Sequence, residues 1–374
     1  MATRSGGVFR GSLLVAFVSV LLAGPVHGEK RKVIIDQDAF GPGGPNLQPI
    51  LMVLQSPDVE VLGITIESGD GWQKENAAHT LRMLEIIGRT DIPVFAGATN
   101  PLLNSAAATK LWEARHGKLF YKGAWMEEWP KEVLVRRPLP HPAEVIPPLV
   151  EGNPATPVST ESAASFLVRK IREFPGQVSV LAMGPMTNLA LAVKLDDGFA
   201  AGARELVFMG GSFSPHPADN AFALEYIHSP RLEFNFRWDP EAASLTLRAP
   251  WRKAVQVPID PSTKTLFTPA MIRQIAAADT PVARYVAKWA ESFPLWDEIA
   301  AGVWLDPLIA TKREVMSVDV DTNRDGAGYG NTLSWAKGKG PGLGESEVEV
   351  VLDVDTARLA ELVVGTLTRP VSGK

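Results

Sequence analysis

Val33-Ile34-Ile35-Asp36-Gln37-Asp38 is an apolar run that ends in two carboxylates spaced two residues apart. It reads as a buried strand ending in acid. Alternate strand residues project to one side, so Asp36 and Asp38 should lie near each other, where their repulsion favours a bound cation or a retained proton. In an α/β protein that strand end is where ligands sit. The competing reading is a turn cap, since Asp is common wherever strands stop.

Outward from this run, Ile50 to Leu54 continues as an apolar helix and Val59-Glu60-Val61-Leu62-Gly63-Ile64-Thr65 reads as a second buried strand. Trp72 to Ile87 has helical spacing, and Pro93 to Gly97 holds a short third strand. Such β-α-β-α-β alternation implies a parallel sheet with right-handed crossovers. It resumes with a helix through Phe166 and Ile171, for which Ser159 or Thr160 is the expected cap, then strand Val178 to Ala182, helix Thr187 to Val193 and strand Glu205 to Met209. The C-terminal third should carry a helix from about Pro269 to Ser292, a helix beginning near Asp306, β-like segments at Val315 to Val320 and Val348 to Val354, and a last helix from Thr356 to Leu367. The expected architecture is one α/β domain, a mostly parallel central sheet flanked by helices. Residues 100–157, rich in Pro, Trp and Arg (Trp112, Trp125, Trp129, Arg136, Arg137), form an ordered excursion near a ligand site.

The chain has 374 residues, 45% hydrophobic and 21% charged, which is ordinary globular composition. The net charge of -5, without a basic block, excludes the counterion-releasing surface that nucleic-acid polymers need. With 0 cysteines, disulfides, thiolate metal sites and a cysteine nucleophile are excluded. Arg4 and Arg10 precede an apolar stretch from Leu13 to Ala23, and Val26-His27-Gly28 offers a small-residue cleavage site before charged Glu29. Residues 1–28 therefore read as a signal peptide and 29–374 as the mature domain, exported to the periplasm or outside the cell. The apolar run is short for a stable membrane anchor.

Four polar segments follow apolar runs: Asp36-Gln37-Asp38, Met183-Gly184-Pro185-Met186-Thr187-Asn188, Glu233-Phe234-Asn235 and Leu305-Asp306-Pro307. Each has a plain structural explanation: Gly184-Pro185 a strand-to-helix turn with Thr187 as cap, Glu233 and Asn235 solvent-facing strand residues, Asp306-Pro307 a helix start. Their order together resembles the inosine-uridine preferring nucleoside hydrolases. The resemblance runs from about Lys32 to Leu367 and is close in Ser56 to Thr65, Leu181 to Ala192, Phe208 to Gly211, Glu233 to Ala243 and Asp306 to Leu308.

That resemblance implies hydrolysis of the N-glycosidic bond of a ribonucleoside at a tightly held Ca²⁺, an ion suited to hard oxygen ligands. It implies Asp38 as general base with Asp36 in support, and Asp38, Asp306 and the Met183 carbonyl as ligands. Glu233, Asn235 and Asp70 would grip ribose hydroxyls, and Met209 would line the sugar. It also implies a small-molecule nucleoside partner and a homo-oligomer, dimer or tetramer. Two departures bear on activity. Pro45 and Asn46 stand where the family has adjacent aspartates, leaving Asn46 or Gln48 to offer a neutral amide oxygen. Leu305 stands where many members carry a proton-donating His, so His116 becomes a candidate base contact, as does His228. Trp125 and Trp129 either stack on a nucleobase or pack the excursion onto the body. A non-catalytic ribose-binding protein, or a hydrolase of another sugar derivative, would share the same carboxylates. The Gly-rich stretch after Asp38 lacks the Lys and Ser/Thr of a phosphate loop. Asp321 to Gly326 mimics half an EF-hand loop, but Thr332 occupies the place of its bidentate Glu, so a β-turn is expected.

Overall fold

In a computed structural model, the described residues are 1–3, 6–7, 29–129, 138–215 and 231–370. Strands β1 (Arg31–Gln37), β2 (Val59–Ile66), β3 (Val94–Ala96), β4 (Val178–Ala182), β5 (Glu205–Met209), β6 (Ala254–Val257), β7 (Ala310–Val320), β8 (Thr332–Ala336) and β9 (Ser346–Val354) form one sheet in the order β3-β2-β1-β4-β5-β6-β9-β7-β8. The pairs from β3 across to β9 are parallel, while β7 runs antiparallel to both β9 and β8. This is the expected α/β architecture.

Alternation along β1 divides the core in two. Val33 and Ile35 pack into a cluster with helices Leu47–Leu54, Gln73–Ile87, Pro281–Trp289, Asp297–Leu305 and Thr356–Leu367. Ile34 faces the other side, against helices Ala163–Glu173, Thr187–Leu195 and Pro240–Leu247. On that second face the Phe95 and Phe166 rings stack at 3.7 Å directly over Gly63, where a Cβ would lie 2.7 Å from Phe166 and 2.8 Å from Phe95. Phe166→Ala should therefore lower unfolding stability by about 3–5 kcal/mol, measured as a shift in denaturant midpoint.

Several boundaries differ from the sequence reading. The helix expected over Pro269 to Ser292 is two, Pro269–Ala276 and Pro281–Trp289, because Thr280 caps a new helix with Pro281 at its first position. No long helix starts at Asp306: a single 3-10 turn, Pro307–Ile309, leads straight into β7. The missed helix is Asp297–Leu305, whose first turn carries two acids. Ser162, rather than Ser159 or Thr160, caps helix Ala163–Glu173. The excursion contains helix Ala106–His116 and a 3-10 turn, Gly123–Trp125. Trp125 stacks on Trp238 at 3.9 Å and Trp112 donates its indole N–H to the Gly326 carbonyl, so both pack the excursion onto the body. Asp321 to Gly330 closes a turn between β7 and β8, with Gly330 N–H on the Asp321 carbonyl. Arg4, Arg10, the expected cleavage site, Arg136, Arg137 and His228 lie outside the described residues. No helix of the described residues is long and apolar enough to cross a membrane.

Candidate functional site

The strand order changes direction between β1 and β4, and the crevice beyond their carboxyl ends is the expected ligand site. Asp38 leaves β1 there. The chain after β4 lies against it: Met183 N–H bonds the Asp36 carbonyl at 2.9 Å, and a Cβ on Gly184 would stand 2.7 Å from the Asp38 nitrogen. From the other side, the loop after β2 delivers the Asp70 N–H to Asp38 Oδ2 at 2.7 Å. Gly69 is required here, because its Cβ would collide with the same carboxylate at 2.1 Å.

Asn46 caps no backbone amide of the helix that begins at Leu47. Its amide turns inward instead, Nδ2 donating to Asp38 Oδ1 at 3.1 Å, which leaves Oδ1 buried without a partner. Gln37 reaches to the opposite face: its Nε2 donates to Asp297 Oδ2 at 2.8 Å and to the Asn46 carbonyl at 3.2 Å. Burial, followed by the charges of Asp38 and Glu298, raises Asp297 well above the usual carboxylate range. Burial and the Asp70 charge do the same to Asp38.

Glu233 caps helix Phe234–Trp238 rather than lying in a strand. One carboxylate oxygen accepts from Asn235 N–H, the other from Phe236 and Gly211 N–H, and burial pushes its pKa to about 7. Asn235 Nδ2 points at the Met183 carbonyl (3.4 Å), the Met209 carbonyl (3.2 Å) and the Met209 sulfur (3.4 Å). Asp36 sits behind, fully buried, accepting from Thr65 Oγ1 and from Asn188 Nδ2 at 2.9 Å. Burial raises it to about 6, and it shares its surroundings with Glu67, itself raised by burial and the Asp36 charge.

Asp38, Asn46, Asp70, Met183, Met209, Glu233 and Asn235 thus lie around one crevice. Asp306 does not. It accepts from Arg358 Nε and from Leu308 N–H at the far end of the 9-residue helix that Asp297 opens, about 13 Å away at 1.5 Å per residue. The carboxylate at the crevice is Asp297, and the preceding residue there is Trp296 rather than Leu305. His116 is exposed, its Nε2 against the Asp325 carbonyl at 3.2 Å, and does not face the carboxylates. Asp297 and Glu67 escaped the sequence reading, while Gln37, Thr65 and Asn188 stood within quoted segments without a role of their own. An acid pair opening an apolar helix, Asp297-Glu298 before Ile299, was the available signal.

The oxygens present suit a hard cation: two mutually repelling buried carboxylates, one orphaned amide oxygen and a main-chain carbonyl. Among the described residues no group of three or more His, Cys, Asp or Glu has the arrangement of a metal centre, so any ion here would lean on neutral oxygens. A pH dependence follows. Asp36, Glu233 and Glu298 are raised by burial to about 6, 7 and 8, so the folded chain holds protons that the unfolded chain releases near pH 4. Their stabilisation is complete below about pH 4 and lost as pH climbs through 6 to 8. In chelator, the thermal midpoint should fall by several degrees between pH 5 and 8, as read by thermal unfolding across that range.

A family model described as inosine-uridine preferring nucleoside hydrolase matches residues 33–361. The chain is 34% identical over 222 residues to uridine nucleosidase 1 of Arabidopsis thaliana, covering 59% of this chain and 54% of that protein. It is 31% identical over 261 residues to a probable uridine nucleosidase 2 of the same plant, covering 70% and 69%. A solved plant nucleoside hydrolase superposes with a TM-score of 0.68 at 24% identity, covering 91% of this chain and 99% of that one.

Proposed function

Because the chain belongs to the inosine-uridine preferring nucleoside hydrolase family, we propose that it hydrolyses the N-glycosidic bond of ribonucleosides, or related N-ribosides, in the crevice around Asp38. The observation that carries this reading is that buried Asp38 is bonded by Asn46, faces the charge of Asp297 and lies against the chain that follows Met183. Nucleoside hydrolases use a metal ion, and here we take it to be Ca²⁺, which Asp38, Asp297, Asn46 Oδ1 and the Met183 carbonyl would hold. Once bound, such an ion supplies an electrophilic anchor for sugar hydroxyls and for water.

The protein's own groups do the rest. Asp38, at the strand end and beside the Asp70 N–H, accepts the proton of the attacking water. Asp36, tied to Thr65 and Asn188, fixes the strand end from which Asp38 projects. Asn235 and Glu233 orient the sugar. Asp70, whose side chain stays half-buried, accepts a further hydroxyl, and Met209 lines the ring. As the C1′–N bond opens, positive charge grows on the ribosyl ring beside these carboxylates and is stabilised by them.

The test is ribose release from uridine, inosine and cytidine at millimolar calcium; a folded protein that releases none would end the claim. The apolar Leu13 to Ala23 run supports export, with a mature chain starting near Glu29. N-terminal sequencing of the protein recovered outside the cytoplasm checks it. A dimer or tetramer is the expected assembly by kinship, measurable by light scattering.

A further inference from the structure

We propose that the site prefers N-ribosides whose heterocycle is already positively charged, a pyridinium or an N-alkylated purinium, and that Asp70 sets this preference. The inference rests on the hydrolase reading above and names its substrate class. Among the crevice carboxylates, Asp38 has both oxygens engaged by Asn46 and Asp70 N–H, Glu233 has both engaged by backbone amides, and Asp297 is held by Gln37. The two carboxylates proposed to hold the divalent ion, Asp38 and Asp297, would match its charge. Asp70 is surplus to that balance. It takes no side-chain hydrogen bond from the described residues, it is half-exposed, and its charge is felt at Asp38, Glu233 and Asp297 alike. The described guanidinium on the neighbouring helix, Arg237, is turned away, lying 4.9 Å from each of the Trp112 and Tyr329 rings.

The chemistry agrees with the charge. Water forms the O–C1′ bond and gives one proton to Asp38, the C1′–N bond breaks, and its electron pair stays on the ring nitrogen. A cationic ring then leaves neutral, with no proton required, whereas a neutral base leaves as an anion and calls for an acid. The described histidines are committed elsewhere: His79 to Glu151 and Glu75, His141 to Glu75 and the Pro142 carbonyl, His116 to the Asp325 carbonyl.

The experiment compares kcat/KM for the pyridinium riboside of nicotinamide and for uridine, in the wild type and in Asp70→Asn and Asp70→Glu. In parallel, calorimetry compares binding of the 1-methylnicotinamide cation and of neutral nicotinamide. The cation-to-neutral ratio should fall about tenfold or more in Asp70→Asn, in both turnover and binding, and hold in Asp70→Glu, which keeps the charge. Using ratio changes cancels the intrinsic reactivity of the two ribosides. Ratios within threefold of the wild type in Asp70→Asn would show that Asp70 serves only as a hydroxyl acceptor and overturn the inference. Uridine turnover without turnover of the pyridinium riboside would overturn it and leave the hydrolase reading standing; turnover of neither would take both.

Discussion

Asp297→Ala should strip the ion from the purified protein and lower kcat/KM for a ribonucleoside by about 10²–10³, whereas Asp306→Ala should leave metal content and turnover close to those of the wild type. The first figure follows from an ion worth several kcal/mol to the transition state, at about 1.4 kcal/mol per tenfold. Asp297 is buried, opposes Asp38 and is held toward it by Gln37. Asp306 is a helix-end acid whose pKa is lowered by its hydrogen bond to Arg358, an exposed, solvent-screened pair of little consequence for stability. Elemental analysis alongside kinetics separates the two. Full metal and activity in Asp297→Ala, with loss of both in Asp306→Ala, would place the ion at the wrong end of that helix.

Asp38→Asn should be the most damaging isosteric change, with kcat/KM down by about 10³–10⁴, since it removes both the base and a ligand charge. The same variant should be more stable than the wild type when metal-free. Asp38 is buried among the charges of Asp70 and Glu233, and an amide relieves that repulsion while keeping an acceptor for Asp70 N–H. A rise of a few degrees in the chelated thermal midpoint at pH 8, together with lost turnover, is the expected pairing of a strained site with its activity. Loss of both stability and turnover would assign Asp38 a structural role instead.

Most of the sheet was legible because its inner strands are short, largely apolar and separated by helices with clear periodicity; β6 and β8, of four and five residues, went unread. Ile34 and Ile35 on opposite faces of β1 and the last helix, Thr356–Leu367, lie where local pattern put them. The site was legible where it sits at strand ends, as with Asp38 and Met183. It was misread where two similar signals compete. Trp296-Asp297 and Leu305-Asp306 are both an apolar residue followed by Asp, at opposite ends of one helix. Asp306-Pro307 looked like a helix start because Asp before Pro is a good cap, and it does cap one turn. Which end meets β1 is decided by the packing of helix Asp297–Leu305 against helix Leu47–Leu54, a long-range contact that no local pattern encodes. The Glu67 and Asn188 partners of Asp36 were hidden for the same reason, since burial of a polar residue beside another is a tertiary fact.

Gln37 and Asp297 stand 260 residues apart in the chain and still share a hydrogen bond. On the proposed ligand set, Asp38 is made near the beginning of synthesis and Asp297 near its end, and a fragment that stops short of Asp297 would lack one of the ion's two carboxylates. On that set, metal capture would add free energy only to molecules that have closed this long loop, and at millimolar ion it would draw the population toward them by mass action.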